Sequence, residues 1–175
     1  TFDKISNKSN KYIEKSFLTA LNLIKNNKGI SLINGPISKK NFLNKKFLGI
    51  TEYISNKFKV INTGMLIYNK ELSVSPLTTH LPIKLVSKKI NQKLIINKVI
   101  LIDKFFRINI DFKLKIAVTG LNPHCESILK INEDNKIIFP AINKLKKRGF
   151  KISGPFPADT IFLKQNRQNY NVIIG

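Results

Sequence analysis

Two histidines, His80 and His124, are the only imidazoles in this 175-residue chain. Each follows an apolar run expected to be a strand. Each sits in a loop with a proline nearby: Thr78-Thr79-His80-Leu81-Pro82 and Gly120-Leu121-Asn122-Pro123-His124. Proline fixes φ and stiffens such a loop, so a side chain there can be held in one place. Neutral imidazole is the commonest protein nitrogen ligand for zinc and similar cations. Two histidines supply two ligands of a shared metal, and a third must come from elsewhere. The plainer alternative is a pair of unrelated surface or capping histidines. Asp159, in Gly154-Pro155-Phe156-Pro157-Ala158-Asp159-Thr160, is a candidate acid, base or orienting partner for a ligand. Capping of a short helix near Thr160 would also suit it. Thr51, in Gly49-Ile50-Thr51-Glu52, reads as a helix N-cap, with a phosphate-binding hydroxyl as the sharper alternative. Cys125 beside His124 reads as a small filler rather than a nucleophile, because adjacent residues rarely face one another well enough for proton transfer.

These side chains need elements to hold them. An apolar stripe at Tyr12, Ile13, Phe17, Ala20, Leu21 and Ile24 predicts an amphipathic helix over residues 10–27, stopped by Gly29. A short buried strand is expected at 30–33, ended by Asn34-Gly35-Pro36. Two more strands are expected at 59–68 and 72–77, around a turn at Asn69–Glu71. Residues 90–106 predict a long buried helix. Residues 115–119 predict a strand ending at Gly120. Residues 139–147 predict a helix with Ala141, Ile142 and Leu145 on its buried face and Gly149 past its end. A last strand is expected at 170–174. Strands alternating with helices imply an α/β fold with a largely parallel sheet and flanking helices, with room for one hairpin.

Composition narrows the function classes. At 42% hydrophobic and 23% charged, with 8 Gly and 7 Pro, the chain is neither disordered nor collagen-like. One cysteine excludes an internal disulfide and a cysteine-based zinc cluster. The apolar runs Leu94–Ile96 and Val99–Ile102 are broken by Asn and Lys far short of a membrane span. Thirty-one Lys and Arg against 10 Asp and Glu give +21. That charge admits a nucleic-acid partner. However, the lysines are scattered and no aromatics interleave with them, so a solvated basic surface is the expectation. No nucleic-acid and no membrane partner is expected, and the location expected is cytoplasmic.

Taken in order, Leu32-Ile33-Asn34-Gly35-Pro36, Gly49 to Glu52, Thr78 to Pro82, Gly120 to His124, Pro140-Ala141-Ile142 and Gly154 to Phe162 resemble the 4-hydroxythreonine-4-phosphate dehydrogenase family of vitamin B6 biosynthesis. The resemblance runs from about Asn10 to Gly175. It implies an isocitrate/isopropylmalate dehydrogenase-like fold and a homodimer with active sites at the subunit interface. It implies NAD- or NADP-dependent oxidation of a phosphorylated hydroxy-amino acid, with decarboxylation. It also implies a divalent metal (zinc, magnesium or cobalt) held by three histidines, of which His80 and His124 are two. The third belongs to a Tyr-His-Asp motif expected directly after the strand ending at Gly175. Asp159 matches a family active-site aspartate and Thr51 a substrate-contacting threonine. No cofactor-binding residue can be assigned. The chain is accordingly expected to be the central part of a two-domain dehydrogenase, truncated at both ends.

Two departures bear on the substrate. The family carries His before Thr51, where this chain has Ile50. The small, glycine-rich stretch after the second histidine is here Cys125-Glu126-Ser127-Ile128-Leu129, which keeps the Glu and loses the glycines. A related dehydrogenase for a different hydroxy acid, or a non-catalytic basic binding module, are the alternative readings.

Overall fold

The computed structural model describes residues 7–27, 31–44, 46–110, 113–125 and 132–175. Gly29 and Ile30, and Glu126 to Leu129, lie outside the described residues. The chain divides into two compact units, Thr1–Ile61 and Asn62–Gly175.

The first unit is helical. Helix α1 spans Asn7–Lys25, α2 Lys39–Phe42 and α3 Ile50–Phe58. The stripe expected on α1 is the buried one at Phe17 and Leu21, with Ile13 half-buried, but Tyr12 lies on the solvent side at 76% exposure. Phe17, Leu43 and Tyr53 form this unit's core. Phe42 and Phe47 add edge-on contacts to the Tyr53 ring at 5.2 and 5.5 Å between centroids. Asn27, at φ 56, turns the chain out of α1. No strand forms over 31–33: Ile33 is almost fully exposed, so an apolar run without a neighbouring strand stays extended loop. Nor does a strand begin at 59. Lys59 adopts φ 56 as the left-handed cap of α3, and the Val60 amide donates back to the Ser55 carbonyl at 2.9 Å.

The second unit is a four-stranded, all-parallel sheet in the order β1-β4-β2-β3. Its strands are β1 (Ser73–Ser75), β2 (Lys115–Thr119), β3 (Lys151–Phe156) and β4 (Val172–Ile174). Helices α4 (Ile83–Lys89) and α5 (Gln92–Ile110) connect β1 to β2, α6 (Phe139–Lys147) leads into β3, and α7 (Lys164–Arg167) precedes β4. The expected hairpin reduces to one antiparallel bridge between Ile67 and Val74.

Strand alternation sorts the core into two faces. Ile116, Val118, Val172 and Ile174 join Ile95, Val99, Ile102, Ala141, Ile142 and Leu145 of α5 and α6 in the main core. Ala117 and Ile173 face the opposite way, onto Ile161, Phe156 and Tyr170. Burial on both faces is the mark of central strands in a parallel sheet. The expected bounds of β2 and α6 match the structure residue for residue. The long helix begins two residues later than expected, at Gln92, and exposes Ile100, Phe105 and Ile108 on its outer side.

Candidate active site

Because all four strands run parallel, their carboxyl ends share one edge of the sheet, and the loops leaving that edge share a rim. His80 lies five residues beyond Ser75 of β1, and His124 five beyond Thr119 of β2. Asp159 lies three beyond Phe156 of β3. Between β1 and β2 stands β4. Its exit residue Gly175 accepts the Leu77 amide at 2.6 Å from the His80 side, and a Cβ on Gly175 would stand 3.2 Å from Thr119 Oγ1 on the other. Two strand spacings therefore separate the exits of β1 and β2, roughly 10 Å.

Both histidines are exposed, and both take left-handed backbone, His80 at φ 58 and His124 at φ 55. Cys125 follows at φ 57. Non-glycine residues visit this region uncommonly, and strain of this kind concentrates at functional sites. His124 and Asp159 come together: Nδ1 lies 3.5 Å from Oδ2. With Nδ1 turned to a carboxylate, Nε2 is the nitrogen left to bind a ligand. What brings the two loops together is the hydrogen bond from the Gly120 amide to the Phe156 carbonyl at 2.8 Å. Asp159 does not cap a helix. It sits in a turn, and α7 starts five residues later behind Leu163.

One residue of this region was not singled out by the sequence reading. Asp134 is fully buried, and its carboxylate accepts three N–H groups of the His124 loop. Oδ1 takes the Leu121 amide at 2.7 Å, and Oδ2 takes the Asn122 amide at 3.2 Å and Asn122 Nδ2 at 2.9 Å. With only 10 acidic residues in the chain, a carboxylate just ahead of an apolar helix was the available signal.

Thr51 belongs to the first unit. It is the exposed second residue of α3, whose N-cap is Gly49, so the N-cap expected of Thr51 is not found. Ile50 opens that helix and packs against the Phe17, Leu43 and Tyr53 core. An aliphatic side chain thus serves packing where the resembled family has a polar one. Ser38 precedes α2 without a side-chain cap. Buried groups elsewhere have shifted pKa values. Burial lowers that of Lys98 on α5, whose Nζ donates to the Thr63 carbonyl at 3.3 Å, and burial raises that of Tyr53.

The donor set can be tested for a metal. Among the described residues no three His, Cys, Asp or Glu side chains cluster as a complete ligand group. His80 and His124 each stand in a loop leaving the carboxyl edge of the sheet, and His124 has beside it a carboxylate of the kind that commonly orients imidazole ligands.

A parallel sheet covered on both faces, with imidazoles and a carboxylate past its strand carboxyl ends, defines an α/β protein of the class in which ligands generally bind outside that edge. Sequence comparison gives the particular family. The family model described as pyridoxal phosphate biosynthetic protein PdxA matches residues 1–175, and the chain belongs to this family. It is 37% identical over 139 residues to a 4-hydroxythreonine-4-phosphate dehydrogenase of Sulfurihydrogenibium sp. (strain YO3AOP1), covering 77% of this chain and 43% of the relative. It is 30% identical over 176 residues to that of Pseudoalteromonas atlantica, covering 98% and 54%. The crystal structure of 4-hydroxythreonine-4-phosphate dehydrogenase from Klebsiella pneumoniae superposes with a TM-score of 0.79 at 26% identity, over 90% of this chain and 49% of that one. The fold is that of the isocitrate/isopropylmalate dehydrogenases, as the resemblance implied. The chain spans about half the length of the curated relatives it matches.

Proposed function

We propose that this chain contributes the metal- and substrate-handling rim of an NAD- or NADP-dependent 4-hydroxythreonine-4-phosphate dehydrogenase in pyridoxal 5'-phosphate biosynthesis, acting as a homodimer. The observation that carries the reading is the placement of His80, His124 and Asp159 on one edge of a parallel sheet, in a chain of this family. His80 and His124 would hold a divalent cation by their imidazole nitrogens, with further ligands from the polypeptide and the substrate. The cation would polarise the substrate's hydroxyl and carboxylate oxygens, and the nicotinamide would take the hydride. Asp159 orients the His124 ring and is placed to accept a proton at its carboxylate from a hydroxyl brought to the same rim. Thr51 contributes a hydroxyl to substrate binding.

The test is reduced-nicotinamide formation from 4-phosphooxy-threonine with Co2+ or Zn2+ present. His80→Ala and His124→Ala are each expected to lower turnover by about 1,000-fold, and Asp159→Asn by about 100-fold. Turnover within tenfold of wild type in both histidine variants would refute the metal assignment. Ile50 supports a second reading. A packed aliphatic side chain cannot donate to a phosphate, so the substrate could be an unphosphorylated hydroxy acid. Faster turnover of such a substrate than of the phosphorylated one would favour it.

A further inference from the structure

We propose that Asp134 is a positioning residue that sets how His124 is presented on the rim. The proposal rests on His124 being a metal ligand and assigns a device that fixes it. Asp134 starts a π turn, Asp134–Ile138, that runs directly into α6. That helix is locked to the sheet by Ala141, Ile142 and Leu145, all fully buried. The carboxylate therefore projects from an element whose continuation is packed into the core. Three N–H groups converge on it, from Leu121, Asn122 and the Asn122 side chain, and Asn122 Nδ2 also reaches Glu133 Oε2 at 3.3 Å. A buried carboxylate demands such donors, and here all three come from the loop segment two and three residues ahead of His124.

Gly120 keeps the arrangement open. A Cβ there would stand 3.0 Å from Asp134 Oδ1 and 2.5 Å from Cys125 Sγ, the residues on either side of the clamp. The loop is thus gripped by Asp134 from one direction and by the Gly120–Phe156 hydrogen bond from the other, and it exits into the left-handed His124. A loop so held leaves His124 one position relative to Asp159. A carboxamide at position 134 keeps the size but turns one acceptor into a donor, which faces the Leu121 or Asn122 N–H groups and releases the loop.

The experiment measures Co2+ affinity by calorimetry and amide exchange by NMR in the protein and its Asp134→Asn and Gly120→Ala variants. Asp134→Asn is expected to weaken Co2+ binding roughly 10- to 100-fold. Faster exchange at the Leu121 and Asn122 amides and a shifted His124 ring resonance should accompany it, with Ile142 exchange unchanged. Gly120→Ala, which crowds the carboxylate without removing it, should act in the same direction and decides the matter if Asp134→Asn does not fold. Co2+ affinity within twofold of wild type in the folded variants overturns the proposal. So does an equal loss in Ile142→Val, a core change that only lowers stability. Wild-type affinity in His124→Ala removes the ligand reading itself, an outcome separate from failure of the clamp.

Discussion

The two histidine loops begin alike and are held differently. Each carries its histidine five residues past a parallel strand, in left-handed backbone. The His124 loop is gripped by a buried carboxylate, by the carbonyl of Phe156 and by its own Asn122. Among the described residues, the stretch from Pro76 to His80 has one such hold, the Leu77 amide on the Gly175 carbonyl. The cause is position in the sheet. Strand β2 lies between β4 and β3, so its exit has a neighbour on each side. Strand β1 is at the edge, with β4 on one side and, among the described residues, no strand on the other, where the Ile67 bridge and the Ser75 hydroxyl bond to the Met65 carbonyl stand instead. One candidate ligand is therefore set by the fold, while the other has freedom to adjust to what it binds.

The largest expected effect tests the scaffold behind the better-held loop. Gly154 in β3 has φ 129, and a Cβ there would run into the Val118 carbonyl of β2. Both objections are to backbone, which cannot swing aside. Gly154→Ala should cost more than about 3 kcal/mol in urea unfolding and loosen the Asp159 loop with it. Next, Asp134→Ala leaves three N–H groups without their acceptor and should cost about 3 kcal/mol. Thr79→Ala, in the loop of His80, should change stability by less than about 0.5 kcal/mol. If the two alanines cost the same, the contrast between the loops is false.

What was legible in the sequence follows the same division. Strand β2 stood out as a short apolar run ended by Gly120, and helix α6 because Ala141, Ile142 and Leu145 share one face ahead of Gly149. The neighbouring β3 was not expected. Gly154 and Pro155 argue against a strand interior, yet here they accompany a register shift between Ala117 and Thr119 that brings the two backbones close. The strand expected at 59–68 failed for the opposite reason. It has the right residue types, but among the described residues its backbone pairs with the sheet at Ile67 alone, with one further hydrogen bond from the Ser75 hydroxyl to the Met65 carbonyl. The candidate site was legible as residue types in stiff loops and became a shared rim only through the strand order, which places β4 between β1 and β2. That order is a long-range property that local patterns do not carry. Asp134 was missed because a buried carboxylate and a solvated one look alike in sequence.

A smaller effect lies beneath the sheet, in α5. Burial disfavours the charged form of Lys98, so its folded pKa lies below the ordinary 10.5. The unfolded chain then binds more protons than the folded one between the lowered value and 10.5, and stability rises as pH climbs through that window. Lys98→Met should remove this rise and add about 1 kcal/mol at neutral pH, because an apolar side chain replaces a desolvated ammonium and the exposed Thr63 carbonyl can turn to water. A urea midpoint series from pH 7 to pH 10 reads both. An unchanged slope in the variant would show that Lys98 is not its source.

The smallest effect discriminates most finely between the two loops. Glycine relieves left-handed strain, worth about 1 kcal/mol, but gives back about 0.5–1 kcal/mol through the extra freedom of the unfolded chain. At His124 the loop is clamped, so the backbone cannot relax away from φ 55 and the relief is realised in full. The exposed contact to Asp159 that is lost with it is worth little. At His80 the loop can share the strain among its neighbours, so less is stored and less released. His124→Gly should therefore stabilise by about 0.5 kcal/mol, whereas His80→Gly should come out near zero or slightly negative. Both variants lose an imidazole, so a gain in stability at His124 alone would show backbone strain held at a candidate ligand by the surrounding clamp. Equal changes at the two positions would mean that the loops are equally free, whatever hydrogen bonds surround them.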